Sequence, residues 1–263
     1  MGGTIAGLYR HPIKGFTPER LDRVSLMAGA YFPCDRLFAI ENGPSGFDPV
    51  APAHISKTRF TVLAKMAEVA RARTAYDEAS GHLAVAADGM EPLSADLATD
   101  AGSAALCDWM ARFLGDQVTG PLRLLKGPET HRFMDDPTGY VSVINLASLQ
   151  DLEARLGVSI DPLRFRANLY IEGWPAWTEM DQVGQTVRMG EAEAEITKPI
   201  VRCAATHVHP VSGERDLDLV SALFETYGHR YCGVYLRVAT GGDVALGDPA
   251  LLSHVLPTAL LNP

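Results

Sequence analysis

The chain has 263 residues, enough for one large domain or two modest ones, and 32 acidic against 23 basic side chains leave a formal charge of −9. With 47% hydrophobic and 21% charged residues it has a globular composition, which excludes collagenous, mucin-like and disordered classes. No apolar run approaches the ~18 residues of a membrane span, the start MGGTIAGLYRHPIKGF lacks a signal peptide's apolar core, and no overall basic footprint points to nucleic acid. Neither a membrane nor a nucleic acid is therefore expected as a partner.

In chain order, strands are expected at Thr4–Tyr9 and Tyr31–Glu41, followed by a Gly/Pro-rich surface loop over Asn42–His54. Glu68–Tyr76 and His82–Ala87 read as a strand pair around Asp77–Gly81. Ala105, Trp109 and Phe113 recur at spacing four, with Leu106, Met110 and Leu114 beside them, which predicts a helix over Thr99–Gly115. Asp116–Pro121 reads as a linker, and the chain divides there into 1–118 and 119–257. The second part opens with a strand at Tyr140–Ile144 and a helix at Leu146–Leu156, capped by Asn145 and ended by Gly157. Strands follow at Arg164–Glu172, Gln185–Met189, Glu191–Thr197, Ile200–Val208 and Gly233–Ala239, with a helix at Leu219–Tyr227 stopped by Gly228. GGDVALGDP reads as a hairpin turn and a strand exit. Many strands, few helices and no βαβ rhythm give an α+β fold: a mainly antiparallel barrel with peripheral helices and a β-rich N-terminal part.

Four cysteines, Cys34, Cys107, Cys203 and Cys232, form no C-x-x-C pair, which argues against a zinc ribbon, a thioredoxin-like motif or an iron–sulfur site. Free thiols and no secretion signal point to the reducing cytoplasm. Cys107 and Cys232 read as packing residues. Cys203 is either a small buried hydrophobe, the commoner fate, or a thiolate nucleophile or soft metal ligand. In an extended strand it is in phase with Val201, Ala205 and His207, while Arg202 points the other way unless the strand is bulged. His207 and His209 have the i, i+2 spacing of a metal pair, a weak signal. In LRFRANLYIEG, alternation puts Arg164, Arg166, Asn168 and Tyr170 on one face, either a solvated surface or a pocket wall whose guanidinium forks hold a phosphate. Pro12 and Gly15 place Lys14 at a loop tip, solvated or phosphate-binding. Arg36, in an apolar strand, needs a partner if buried: Asp35, Glu41 or an anionic ligand. Glu179 and Asp181 have the makings of a general acid–base pair, although spacing alone says little. No G-x-x-x-x-G-K, G-x-S-x-G or H-E-x-x-H motif is present.

Taken in order, LYRHPIKG, CDRLFAI, DPLRFRANLYIEG, VRCAATHVHPVSGERD and GHRYCGVYLRV…GGDVALGDP resemble the MOSC family, the molybdenum-cofactor sulfurase C-terminal domain proteins, in the longer form with an N-terminal β-barrel domain. The resemblance runs from about Thr4 to Pro249 and is similar to the amidoxime-reducing component branch. It implies a molybdenum cofactor, a pterin dithiolene carrying a phosphate, with no call for pyridoxal phosphate. Cys203 would be the molybdenum ligand and catalytic residue. Lys14, Gly15 (where relatives often have Ser), Arg36, Asn145, Arg166, Asn168 and Arg202 would bind the cofactor, Asn145 having the simpler alternative of capping its helix. The implied function is an oxidoreductase that removes oxygen from a small N-hydroxylated or related oxidised substrate, with electrons from a separate donor protein. A sulfur or cofactor carrier using Cys203 is the alternative, and a noncatalytic binding module the third reading. Asn42–His54 and Trp174–Asp181 are expected as lids.

Overall fold

A computed structural model describes residues 1–253. Its elements run β1 (Gly2–Arg10), β2 (Glu19–Arg20), β3 (Arg23–Leu26), β4 (Phe38–Asn42), β5 (Arg73–Tyr76), β6 (His82–Ala86), β7 (Leu93–Asp96) and α1 (Asp100–Leu114). There follow β8 (Leu122–Lys126), β9 (Val141–Asn145), α2 (Leu146–Leu156), β10 (Leu169–Glu172), α3 (Thr178–Asp181), β11 (Thr186–Met189), β12 (Ala192–Val201), α4 (Leu219–Tyr227), β13 (Tyr231–Thr240), β14 (Gly242–Ala245) and β15 (Pro249–Leu252).

Seven strands close a barrel in the order β10-β9-β13-β12-β11-β15-β1, because β1 also pairs with β10. Alternation drives the closure. Along β11, Val187 and Met189 are buried while Thr186 and Arg188 are exposed, and the barrel fills with Ile5, Val143, Leu169, Ile171, Ile196 and Leu236. The sheet is mixed rather than purely antiparallel: β9 and β10 run parallel, Leu169 opposite Val143 and Ile171 opposite Asn145. A parallel pair needs a crossover, and α2 supplies it, so one βαβ unit stands where none was expected. β1 is thus a barrel stave although it opens the chain. The expected second part ran to residue 257, of which 254–257 lie outside the described residues.

β2 pairs with β1, and β3 lays Val24 and Leu26 on the barrel core, while the N-terminal elements from β4 to α1 build a second core. β5, β6 and β7 form an antiparallel sheet, and α1 buries Leu106, Trp109 and Met110 in the cluster behind it. β4 pairs with β8, Ile40 opposite Leu124. Among the described residues no helix is long and apolar enough to cross a membrane.

The three long predicted helices form at their expected places, with Thr99, Asn145 and Asp218 accepting from the first-turn amides Gly102, Ala147 and Ser221. Several strands are shorter than expected. Of Tyr31–Glu41 only the stretch from Phe38 on is extended, as the start of β4, because Cys34 and Arg36 take left-handed φ of 54° and 47°. Ala67–Arg71 is a 3-10 turn rather than the start of β5. Pro162 opens another 3-10 turn, with Asp161 accepting from the Leu163 amide, so the strand expected from Arg164 begins at Leu169. β12 runs on through Pro199 but stops at Val201, and Ala204–His207 is again a 3-10 turn. In GGDVALGDP, the segment expected as a hairpin turn contains β14, which pairs with β3.

Candidate functional site

The turns that interrupt these strands meet around one cleft of about 800 Å3, counting its solvent-open mouth. Lys14, Gly15, Arg36, Arg166, Arg202 and Cys203 all line it. Its lining carries six cationic side chains, Lys57 and Arg164 being the others, against the single carboxylate of Asp135. In a chain of charge −9 this is a local reversal of sign, of the kind that focuses anions.

Lys14 follows Ile13, which bridges to Phe38, and the Lys14 amide donates to the Phe38 carbonyl at 2.8 Å. The side chain is not at a solvated loop tip, as expected, but buried: Nζ donates to the Phe133 carbonyl at 2.8 Å and pairs with Asp135. Burial lowers its pKa against the pull of Asp135. Gly15 turns the chain at φ +90°, where a Cβ would come within 2.6 Å of the Thr61 carbonyl oxygen.

Arg36 reaches the cleft from a turn rather than from the strand expected there. Its guanidinium pairs with Asp35 and donates to the Arg166 carbonyl at 2.7 Å, while Glu41 pairs with Arg123 at 2.6 Å. Asp35 is fully buried, and it also accepts from the His11 amide at 2.7 Å. Burial alone would raise the Asp35 pKa; Arg36 and His11 hold it well below the carboxylate range. His11 is pushed down to about 3, first by burial and then by Arg36 and Arg166.

Arg166 ends the 3-10 turn of Pro162–Phe165 at φ 52°. One guanidinium nitrogen donates to the Phe16 carbonyl at 2.6 Å; the other, Nη2, is buried with no partner. Burial and neighbouring Arg36 push its pKa down to about 9, which keeps it cationic at neutral pH. The alternation expected to set Arg164, Arg166 and Asn168 on one face fails with the strand. Arg164 grips Asp216 through both carboxylate oxygens, at 2.6 and 2.8 Å.

Arg202 turns away from Cys203. Its Nε and Nη2 donate to the Cys232 carbonyl at 2.8 and 2.5 Å, and its Nη1 to the Phe165 carbonyl at 2.9 Å. It fastens the end of β12 to β13 and to the turn carrying Arg166. Cys203 stands just past β12, half-buried, whereas Cys34, Cys107 and Cys232 are buried and their thiols are pushed up to about 11, 11 and 12, burial leading in each case.

Asn145 and Asn168 do not line the cleft. Asn145 caps α2 and donates at 2.8 Å to the Pro175 carbonyl and to Glu179. Asn168 receives the Ser142 amide and hydroxyl and donates to the Tyr9 carbonyl. Glu179 is buried under Asn145 and Ser148, so it forms no acid–base pair with Asp181. His207 turns to Asp218 while His209 accepts from the Val211 and Ser212 amides, so the two do not converge. Among the described residues no group of three or more His, Cys, Asp or Glu could hold a metal ion. Neither segment expected as a lid lines the cleft; Asn42–His54 only touches its rim, His54 meeting the Asp135 carbonyl at 3.2 Å.

Lys57 and Asp135 are the site residues the sequence reading missed. Lys57 Nζ donates to Asp135 at 3.0 Å and interacts with the Cys203 sulfur; burial opposes its charge, but Asp135 and Cys203 raise its pKa overall. Both belong to loops without periodicity, and no local pattern marks them.

The comparisons with known proteins match this picture. The MOSC N-terminal beta barrel domain model matches residues 2–120 and the MOSC domain model residues 130–250. The solved structure of the YuaD protein from Bacillus subtilis shares the fold across 97% of this chain and 98% of its own, at 15% identity and a TM-score of 0.50. YiiM from Geobacillus stearothermophilus (22% identity, 50% of this chain and 67% of that one, TM-score 0.37) and from Escherichia coli (20%, 49% and 61%, 0.33) align with about half of the chain. No curated protein sequence matches. With the two domain models spanning nearly all of it, the chain belongs to the MOSC family.

Proposed function

We propose that the cleft binds a molybdenum cofactor and that the protein is an oxidoreductase acting on small N-hydroxylated or related oxidised compounds, with electrons from a separate donor protein. The observation that carries this reading is Arg166, which lines a cation-rich cleft together with the half-buried Cys203 and whose Nη2 is buried with no partner. A buried guanidinium donor without an acceptor is costly, and a phosphate oxygen would satisfy it. The donor set fits the group. Arg166, Lys14 and Arg36 would hold the phosphate and pterin, and Cys203 offers the soft thiolate that a metal held by sulfur prefers. When bound, the cofactor supplies the two-electron chemistry of oxygen removal.

The chain's own residues orient and hold. Arg36 donates to the Arg166 carbonyl, so the two guanidinium-bearing turns are tied. Arg202 fixes the backbone on which Cys203 stands, which makes it a positioning residue. Asn145 and Asn168 serve the scaffold behind the cleft. Four unpaired thiols suit a reducing compartment such as the cytoplasm.

The test is molybdenum and pterin content after expression in a cofactor-competent host. Wild-type protein is expected to carry both, and Cys203→Ala to lose most of its molybdenum. If neither metal nor pterin accompanies either protein, the reading fails. Persulfide on Cys203, with no oxide reduction under a chemical electron donor, would move the protein to the sulfur-carrier reading, which a half-buried cysteine in the cleft lining also accommodates.

A further inference from the structure

We propose that Lys57 selects anionic substrates for the site, its ammonium receiving the negative group of a small molecule, such as a carboxylate, whose reacting end faces Cys203. The inference rests on the reading of the cleft as a substrate site beside Cys203.

The cations of the cleft fall into two sets. Arg202 and Arg164 are committed to carbonyls and a carboxylate, and Lys14, with 6% of its side chain exposed, is locked to the Phe133 carbonyl and Asp135. Lys57 is different: its side chain is 31% exposed, and it lines the same cleft as the half-buried Cys203. A short turn presents it. Ser56 accepts from the Thr58 amide, and Lys65 donates to the Thr58 carbonyl at 2.9 Å, so the ammonium projects from a fastened backbone.

Charge counting at this rim leaves a surplus. One carboxylate, Asp135, serves two ammonium groups, Lys14 and Lys57. It cannot neutralise both, so about one positive charge remains beside the sulfur. Lys57 is the exchangeable member, because its contact with Asp135 is partly solvated on both sides and such pairs are weak. A negative solute entering the cleft gains the attraction that Asp135 leaves unspent, and a neutral one of the same shape does not. Arg166 lines the same cleft, and its buried, unpartnered Nη2 would serve the cofactor rather than the substrate.

The experiment is alkylation of Cys203 in the full chain, isolated from a cofactor-deficient host so that the sulfur is free. Iodoacetate and iodoacetamide are nearly the same size and differ by one negative charge. The ratio of their rates is measured for wild type, Lys57→Met and Lys57→Arg, with Cys203→Ser as the background from the three buried thiols. The ratio is expected to fall about fivefold to tenfold in Lys57→Met, the size of one charge's attraction at contact in a high-dielectric setting, and to persist in Lys57→Arg. An unchanged ratio in Lys57→Met, a ratio in Lys57→Arg as low as in Lys57→Met, or a Cys203 that reacts with neither reagent overturns the inference. Molybdenum content decides the cofactor reading independently. A lost charge preference with no metal in either protein leaves Lys57 standing, and metal with no charge preference sinks Lys57 alone.

Discussion

The barrel and the cleft wall obey different rules. In the barrel, side chains alternate inward and outward, the interior fills with apolar side chains, and backbone groups pair with neighbouring strands. In the wall, strands break off at Val201 and begin only at Leu169, and Arg36 and Arg166 sit at left-handed φ, a conformation that costs a residue with a Cβ about 1 kcal/mol or more. The wall is the more polar and the less comfortable region, and it depends on the barrel to hold it in place. Departure from local regularity therefore marks the site more sharply than any residue type does.

That contrast is open to direct attack. The largest effect is expected in the barrel. Trp174 is 1% exposed there and donates to the Ala250 carbonyl at 2.9 Å. Trp174→Ala should cost about 3–5 kcal/mol in urea denaturation, the cavity and the lost hydrogen bond acting together.

The two left-handed arginines should then separate from each other. Replacing either by glycine relieves the backbone. Arg36→Gly also strips Asp35 of its guanidinium and leaves a buried carboxylate, so a loss of roughly 3–5 kcal/mol is expected. Arg166→Gly removes a cation whose Nη2 has no partner, and stability should stay within about 1 kcal/mol of wild type while retention of pterin and phosphate collapses. Equal stabilities for the two variants would contradict the assignment of Arg36 to the scaffold as well as to the cleft.

Between those extremes lies an acid dependence. Folded His11 titrates near 3, below its unfolded value of 6.5, so the unfolded chain takes up the proton first. Stability is full above about pH 6.5 and should decline by about 1.4 kcal/mol per pH unit as pH falls toward 3. Asp35, also depressed, adds its loss only at the acid end of that window. Urea midpoints measured from pH 7.5 down to 4.5 should show this slope, and His11→Gln should flatten it. A wild-type curve flat over that range would mean that His11 is not buried neutral beside Arg36.

Elements with a strong local signal were legible in the sequence. α1, α2 and α4 have 3.6-residue periodicity between a capping side chain and a glycine, and each forms where expected. Cys203, Lys14, Arg36 and Arg166 were also named from the sequence, through the resemblance, and the fold brings all four to one cleft. The faces assigned to them were not legible. Strand alternation was extended through Arg164–Asn168 and Cys203–His207, where Pro162 and the turn at Ala204 replace strand by 3-10 geometry. Asn145 and Asn168, which the resemblance implies as cofactor residues, stand outside the cleft lining, with hydrogen bonds to backbone and to Glu179 and Ser142.

By itself the sequence determined the class of fold, the helices, the unpaired thiols and the short set of cations from which a site could be made. Those depend on periodicity, capping and composition, which act within a few residues. Only the tertiary structure decided that β1 closes the barrel against β10, that Arg202 clamps carbonyls while Arg166 keeps a free donor, and that Lys57 and Asp135 stand beside Cys203. These are contacts between residues far apart in the chain. Whether a guanidinium is occupied or free depends on which carbonyls the fold leaves within its reach, and no local pattern encodes that.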